Sequence, residues 1–338
     1  MNEAKKAKLE TVTPTLEQLK EHSAEEMAPQ RKMTSVCVTV DGKYVVTGSG
    51  DKTARVWRLD NGAHVRTLEG HLDWVSSVCA TVDGKYVVTG SGDKTARVWR
   101  LDDGAHVRTL EGHSDYVSSV CVTTDGEYVV TGSMDYTTRV WRLCDGLHVH
   151  TLRLKSDWSH SVCVTPDNQY VVIGSYDKAG VWMLDGRPLG KLECQGVLSV
   201  CVTRDGANVV MGSMDNTIRV WKMNGYECSR GYELLHTLEG HSDWVNTVCV
   251  TPDNQHVVSA SDDNTVRMWR LSDGENVRTL HLENSMGGVC VTPDGKYLVV
   301  AGYGVTTFPL AKARWEQVRG WSRVHWWWQR YRMTSRHL

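Results

Sequence analysis

Residues 35–71 and 77–113 are the same stretch written twice, apart from two exchanges, Val38 for Ala80 and Asn61 for Asp103. Each copy holds Thr-Gly-Ser-Gly-Asp-Lys-Thr-Ala-Arg-Val-Trp, at Thr47–Trp57 and at Thr89–Trp99, and closes on Leu-Glu-Gly-His, at Leu68–His71 and at Leu110–His113. Fainter copies carry Trp141, Trp182, Trp221 and Trp269. The tag Val-Cys-(Val/Ala)-Thr opens seven units, at Cys37, Cys79, Cys121, Cys163, Cys201, Cys249 and Cys290, with steps of 42, 42, 42, 38, 48 and 41 residues. A unit this short cannot enclose a core of its own. Its apolar faces must be covered by the units beside it.

Within a unit the pattern alternates short apolar runs and turn residues. In the first, Ser35–Thr39 reads as a strand and Asp41-Gly42 as a tight turn. Tyr44–Thr47 reads as a second strand, and its Val-Val pair suits burial on both faces. Gly48–Lys52 turns the chain, Ala54–Leu59 is the third strand, Asp60-Asn-Gly62 turns again, and His64–Leu68 is the fourth. Four strands on a period near 40–45, with Gly-His early and Trp near the end, mark a propeller blade. At these residues the sequence resembles the WD-repeat β-propeller family, over roughly residues 32–302. The resemblance implies an all-β, seven-bladed β-propeller of four-stranded antiparallel sheets over residues 32–311. A leader, residues 1–31, and a tail, residues 312–338, flank it. The leader is expected to be partly helical, since Thr15 and Gln18 stand at capping-box spacing.

Some units depart from the pattern. The fourth lacks one residue between Asp177 and Trp182, and its approach, Leu152–Lys155, has no Gly-His. An insertion around Gly225–Gly231 separates the fifth and sixth. In the seventh, Phe308, the only Phe of the chain, stands where Trp is expected. A strand from the opposite terminus completes the last blade in the family. The matching stretch here, His22–Met27, reads as helix, so Arg314–Arg319 is the expected donor.

The net charge of −2 conceals an asymmetry: residues 312–338 carry seven Lys/Arg against one Glu, and five of the fourteen Trp. No stretch is apolar enough to span a bilayer, and the first residues have no apolar core, so no signal peptide is expected. Seven of the ten cysteines fill one strand slot in different units, which suits a small buried side chain rather than a disulfide framework. Cys144, Cys194 and Cys228 have no Cys-x-x-Cys spacing. We therefore expect no disulfides, no metal, no cofactor, and a reducing cytoplasmic or nuclear setting.

The resemblance also implies a hydrogen-bond chain in each blade: His before the first strand, Ser or Thr ending the second, Asp in the following turn, Trp in the third. By motif these are His71, Thr89, Asp93 and Trp99; His113, Thr131, Asp135 and Trp141; and His241, Ser259, Asp263 and Trp269. The first unit lacks the His, and the fourth and fifth have Ile173 and Met211 in the hydroxyl slot. A His-Asp-hydroxyl set resembles a hydrolase triad, but its repetition points to scaffold. The Asp that follows Trp in the family is replaced by Arg58, Arg100, Arg142, Met183, Lys222 and Arg270, a basic ring expected on the outer wall.

No nucleophile elbow or His-Glu-x-x-His occurs, and Gly186–Lys191 is one residue short of a phosphate loop. The informative variation falls at two slots that face the top surface in the family. Four residues before the valine of each tag stand Lys32, Trp74, Tyr116, Trp158, Gly196, Trp244 and Ser285; before each turn Asp stand Gly50, Gly92, Met134, Tyr176, Met214 and Asp262. The expected partner-binding set is Lys32, Trp74, Tyr116, Met134, Trp158, Tyr176, Met214, Trp244 and Asp262, with aromatic and Met side chains suited to an interface. The reading is a monomeric, non-catalytic scaffold for a protein or peptide partner. Two other classes remain open. One is a nucleic-acid or anionic-membrane binder working through the tail; the other is an enzyme using the axial cavity.

Overall fold

The computed structural model describes residues 33–154, 157–223, 231–283 and 286–310. The expected leader, the tail, both candidate closing strands and Lys32 lie outside them. Among the described residues there are 27 β-strands and no helix. Blade 1 is β1 (Met33–Val38), β2 (Tyr44–Ser49), β3 (Ala54–Arg58) and β4 (His64–Leu68). Blade 2 is β5 (Val75–Ala80), β6 (Tyr86–Ser91), β7 (Ala96–Arg100) and β8 (His106–Leu110). Blade 3 is β9 (Val117–Val122), β10 (Tyr128–Ser133), β11 (Thr137–Arg142) and β12 (His148–Arg153). Blade 4 is β13 (Ser159–Val164), β14 (Tyr170–Ser175), β15 (Ala179–Met183) and β16 (Pro188–Leu192). Blade 5 is β17 (Val197–Val202), β18 (Asn208–Ser213), β19 (Ile218–Met223) and β20 (Tyr232–Leu238). Blade 6 is β21 (Val245–Val250), β22 (His256–Ser261), β23 (Thr265–Arg270) and β24 (Asn276–His281). Blade 7 is β25 (Gly288–Val291), β26 (Tyr297–Ala301) and β27 (Val305–Pro309).

Every blade is an antiparallel meander with its strands in chain order. The fold is the expected seven-bladed propeller, with six four-stranded blades and three described strands in the seventh. The turn between first and second strands is the same device throughout. In blade 1, Thr39 Oγ donates to Asp41 at 2.6 Å, Asp41 accepts from Lys43 N, and Gly42 N donates to Thr39 O at 2.8 Å. The φ of Gly42 is +67°, the left-handed region that an L side chain resists.

The second strands read as near-continuous apolar runs because both faces are covered. Val45 and Val46 are fully buried, as are Val87 and Val88 in blade 2. The core is a series of layers between blades rather than one mass. Val46, Val56 and Leu68 of blade 1 meet Val75, Val78 and Trp99 of blade 2 in one such layer. Between blades 6 and 7 the place of Trp goes to Phe308, which pairs with Leu298 as Trp269 pairs with Val257.

The first strands stand side by side around the axis. There the repeated Ser of Ser-Val-Cys acquires a use. Ser35 Oγ accepts the N–H of Val78 in the next blade at 3.2 Å. Ser77, Ser119, Ser161 and Ser199 do the same for Val120, Val162, Val200 and Val248, each at 3.1 Å. An inner edge strand would otherwise leave that donor without a strand partner. Blade 7 meets blade 1 directly: Met33 N donates to Gly302 O at 2.8 Å. At that seam a β-carbon on Gly287 would fall 1.6 Å from the Met33 carbonyl oxygen, so only glycine fits.

The seven repeated cysteines were expected in the buried core, and the structure places them half-buried on the axial side instead. They hold equivalent positions on the seven first strands, in the order Cys37, Cys79, Cys121, Cys163, Cys201, Cys249 and Cys290 around the axis. The nine described cysteines are free thiols. Desolvation by the surrounding strands pushes Cys37 up to about 12 and Cys201 to about 11.

Candidate functional site: the loop face of the propeller

Beneath the loop face lies the hydrogen-bond chain. His71 Nδ1 lies 2.7 Å from Asp93, His71 Nε2 lies 2.7 Å from Thr89 Oγ, and Trp99 Nε1 donates to the same oxygen at 2.8 Å. With the imidazole proton on Nδ1, Trp99 donates to Thr89, Thr89 to His71, and His71 to Asp93. Asp93 also accepts Leu72 N at 2.9 Å, Thr95 N at 3.0 Å and Thr95 Oγ at 2.6 Å. Blades 3 and 6 repeat the arrangement through His113, Asp135, Thr131 and Trp141, and through His241, Asp263, Ser259 and Trp269. Burial works against ionising these carboxyls, but the donors outweigh it. Asp93 and Asp135 sit well below the usual carboxylate range, and Asp263 falls to about 2. The hydroxyls of Thr89, Thr131 and Ser259 are fully buried and occupied on both sides. No substrate atom can reach them.

Above this layer, the two sequence slots chosen for binding are joined by backbone hydrogen bonds within a blade. Gly92 N donates to Trp74 O at 2.9 Å, Met134 N to Tyr116 O at 3.0 Å, Met214 N to Gly196 O at 2.8 Å and Asp262 N to Trp244 O at 3.0 Å. The loop that enters a blade is therefore tied to the turn inside it, and the side chains stand on a fixed ledge. The ring of Trp74 lies over Gly92, where a β-carbon would come 3.1 Å from the indole. It meets Tyr116 of the next blade edge to face, with centroids 4.9 Å apart at 68°.

Three groups result. Trp74, Tyr116 and Met134 form one, through the ring contact and the backbone. Trp158, Tyr176 and Met214 form a second: Asp157 accepts from the backbone N–H groups of both Trp158 and Asp177, Gly196 N donates to Tyr176 O at 2.6 Å, and Met214 follows through Gly196. Trp244 and Asp262 form the third. Among the described residues no ring contact or hydrogen bond joins the first group to the second, and Lys32 lies outside the description. Trp158, Tyr176 and Trp244 are 44%, 59% and 47% exposed, so the rings face water rather than the loops beneath.

Two kinds of residue escaped the sequence reading. Tyr136, 47% exposed, follows its turn Asp at a φ of +66°. Four aspartates, Asp73, Asp115, Asp157 and Asp243, each accept the backbone N–H of the aromatic residue that follows, at 2.8–2.9 Å. The recurring Asp-aromatic dipeptide was the available signal. The arginines of the expected basic ring on the outer wall are each paired with a carboxylate. Arg58 pairs with Asp60, Arg100 with Asp103, Arg142 with Asp145 and Arg270 with Asp273. Two cavities, of about 410 and 320 Å³, lie away from the aromatic groups, one lined by Tyr86, Arg108 and Leu143, the other by Leu189, Trp221 and Tyr232.

The family model described as WD domain, G-beta repeat matches residues 17–58, 62–100, 104–142, 186–222 and 232–270, more than half of the chain. The chain belongs to the WD-repeat family. The matched WD repeats leave out most of blades 4 and 7, where the hydrogen-bond chain is missing. Part of the chain is similar to nuclear distribution protein PAC1-2 of Postia placenta, 47% identical over 34 residues, 10% of this chain and 8% of that protein. Another similarity is to a probable serine/threonine-protein kinase PkwA of Thermomonospora curvata, 39% identical over 49 residues, 14% of this chain and 7% of that one. The chain thus spans less than a tenth of either relative, about the length of one WD repeat.

Proposed function

We propose that this WD-repeat propeller is a non-catalytic docking platform whose loop face takes a protein or peptide partner. WD-repeat propellers commonly mediate protein–protein interaction, and the finer reading here rests on one observation. Large rings on the loop face are exposed while backbone hydrogen bonds pin the chain beneath Trp74, Tyr116 and Trp244, and Asp157 holds the backbone of Trp158. Rigid, solvent-facing Trp and Tyr lose little conformational freedom on binding and supply the contact area of interface hot spots. The contact set is Trp74, Tyr116, Met134, Trp158, Tyr176, Met214, Trp244 and Asp262. Residues 1–31 and 312–338 flank this platform, and a cytoplasmic or nuclear location suits a protein with so many free thiols.

The absence of catalysis is part of the proposal. The His-Asp-hydroxyl sets that resemble a triad are sealed beneath the ledge, and the axial side offers Cys, Ser and Val. Paired substitution Trp74→Ala and Trp158→Ala tests the platform, because neither ring belongs to the buried chain. Partners captured from the native cell by the wild-type chain should be lost or at least about tenfold depleted, the size expected for two hot-spot truncations. Undiminished capture of every partner would remove the proposal.

A further inference from the structure

The loop face carries charge that the molecule does not neutralise. Near the buried layer Arg55 and Arg219 pair with Asp51 and Asp215, while the imidazoles of His71, His113 and His241, each accepting a hydroxyl hydrogen on Nε2, hydrogen-bond Asp93, Asp135 and Asp263 without cancelling their charge. Of the lysines on the turns, Lys178 pairs with Glu193 at 2.9 Å, while Lys94, which donates to Ser114 O at 3.0 Å, and Lys52 keep their charge, so the carboxylates outnumber the free lysines. Against this, Asp73, Asp115, Asp157, Asp177, Asp243 and Asp262 have no ion-pair partner among the described residues. The outer wall differs, since each of its arginines has a carboxylate beside it.

The unneutralised carboxylates are also fixed in place beside the rings. Asp73, Asp115, Asp157 and Asp243 hold the backbone N–H of Trp74, Tyr116, Trp158 and Trp244. Each pair sets a held negative charge one residue from an aromatic face. A lysine or arginine side chain is suited to both, with its alkyl stem and cation against the ring and its charge near the carboxylate. We infer that the partner docking on this face is a polypeptide segment rich in lysine and arginine. The inference rests on the proposed docking role and adds the chemistry of the ligand. The same field repels nucleic acid and anionic membrane from this face.

The test uses the full chain and a labelled peptide of lysine, arginine and glycine, with a counterpart of equal length in which glutamate replaces the basic residues. The basic peptide should bind saturably and the acidic one should not. Affinity should fall by about tenfold between low and physiological salt. A triple variant, Asp73→Asn, Asp115→Asn and Asp243→Asn, keeps an oxygen for each backbone N–H and therefore the fold, confirmed by an unchanged melting temperature. It should bind the basic peptide about tenfold more weakly. Equal binding of the acidic peptide, or undiminished binding by the triple variant, would overturn the inference. The two readings separate in one comparison with captured partners. Partners lost on Trp74→Ala with Trp158→Ala but kept on the triple variant would leave the docking face standing and reject its cationic ligand. Partners kept on both variants would reject both.

Discussion

Blades 2, 3 and 6 hold their turn carboxylate with a histidine; blades 1 and 5 have the same carboxylate and no histidine. In the second group an arginine four residues on takes the duty. Arg55 reaches Asp51 at 2.6 Å and Arg219 reaches Asp215 at 2.7 Å. The same arginine exists in the first group but goes elsewhere. Arg139 and Arg267 lie over Trp141 and Trp269, at 5.8 and 5.9 Å from the ring centroids, and Arg97 lies against Gly70. One side chain thus has two employments, chosen by whether a histidine precedes the blade. Blade 4 has neither, because Gly180 stands in the arginine slot and Asp177 is left exposed. Yet Val171 pairs with Trp182, and Val209 with Trp221, in the register that Val87 and Trp99 keep. The hydrogen-bond chain strengthens a blade; strand pairing and neighbour packing are enough to form one.

Acid should break the comparison most. A carboxyl depressed in the folded state stabilises above its unfolded value, near 4, and the contribution is lost as pH falls through its folded value. Asp263 gives a window from about 4 down to about 2, and Asp93 and Asp135 extend it lower. In Asp51 and Asp215, burial also opposes ionisation and the Thr and Arg donors outweigh it, with a smaller net lowering. Hydrogen exchange on acidification should therefore show the loss of protection ending sooner in blades 1 and 5 and continuing to lower pH in blades 2, 3 and 6; one common end-point in all five would contradict the assignment of roles.

Substitution sharpens it further. His113→Ala leaves the buried Asp135 and Thr131 short of a partner and should lower stability by about 1–3 kcal/mol in urea unfolding. The smallest and most discriminating effect concerns the indoles. Trp269 Nε1 donates to Ser259 at 2.9 Å, whereas Trp221 Nε1 is buried without a partner because Met211 fills the hydroxyl slot. Trp269→Phe should cost about 1 kcal/mol more than Trp221→Phe, and equal costs would mean that the hydroxyl contributes nothing.

Much of this was legible from the letters because the repeat fixes offsets. Blade count, the fourth strand His64–Leu68 and the stand-in role of Phe308 follow from spacing, and the three complete hydrogen-bond chains are what the family resemblance implies. Strand ends were less so. β1 begins at Met33, two residues before the expected start, and β2 runs on to Ser49, because pairing continues past the apolar run. What spacing cannot show is contact between units. The Trp74–Tyr116 ring pair and the Ser35–Val78 bond cross from one unit to the next, and the arginine that stands in for histidine in blades 1 and 5 depends on the folded turn. The carboxylate before each ring was visible in the sequence, but its significance depends on knowing that no ion pair holds it among the described residues.

The circle of cysteines has a practical corollary. Burial between flanking blades pushes the thiols of Cys37 and Cys290 up and shields them, so a thiol-alkylating reagent acts as a gauge of whether the ring is intact. Parting the seam between Gly287 and Met33 would expose Cys290 and Cys37 to modification first, and the label, read by mass spectrometry, would say where the circle came undone.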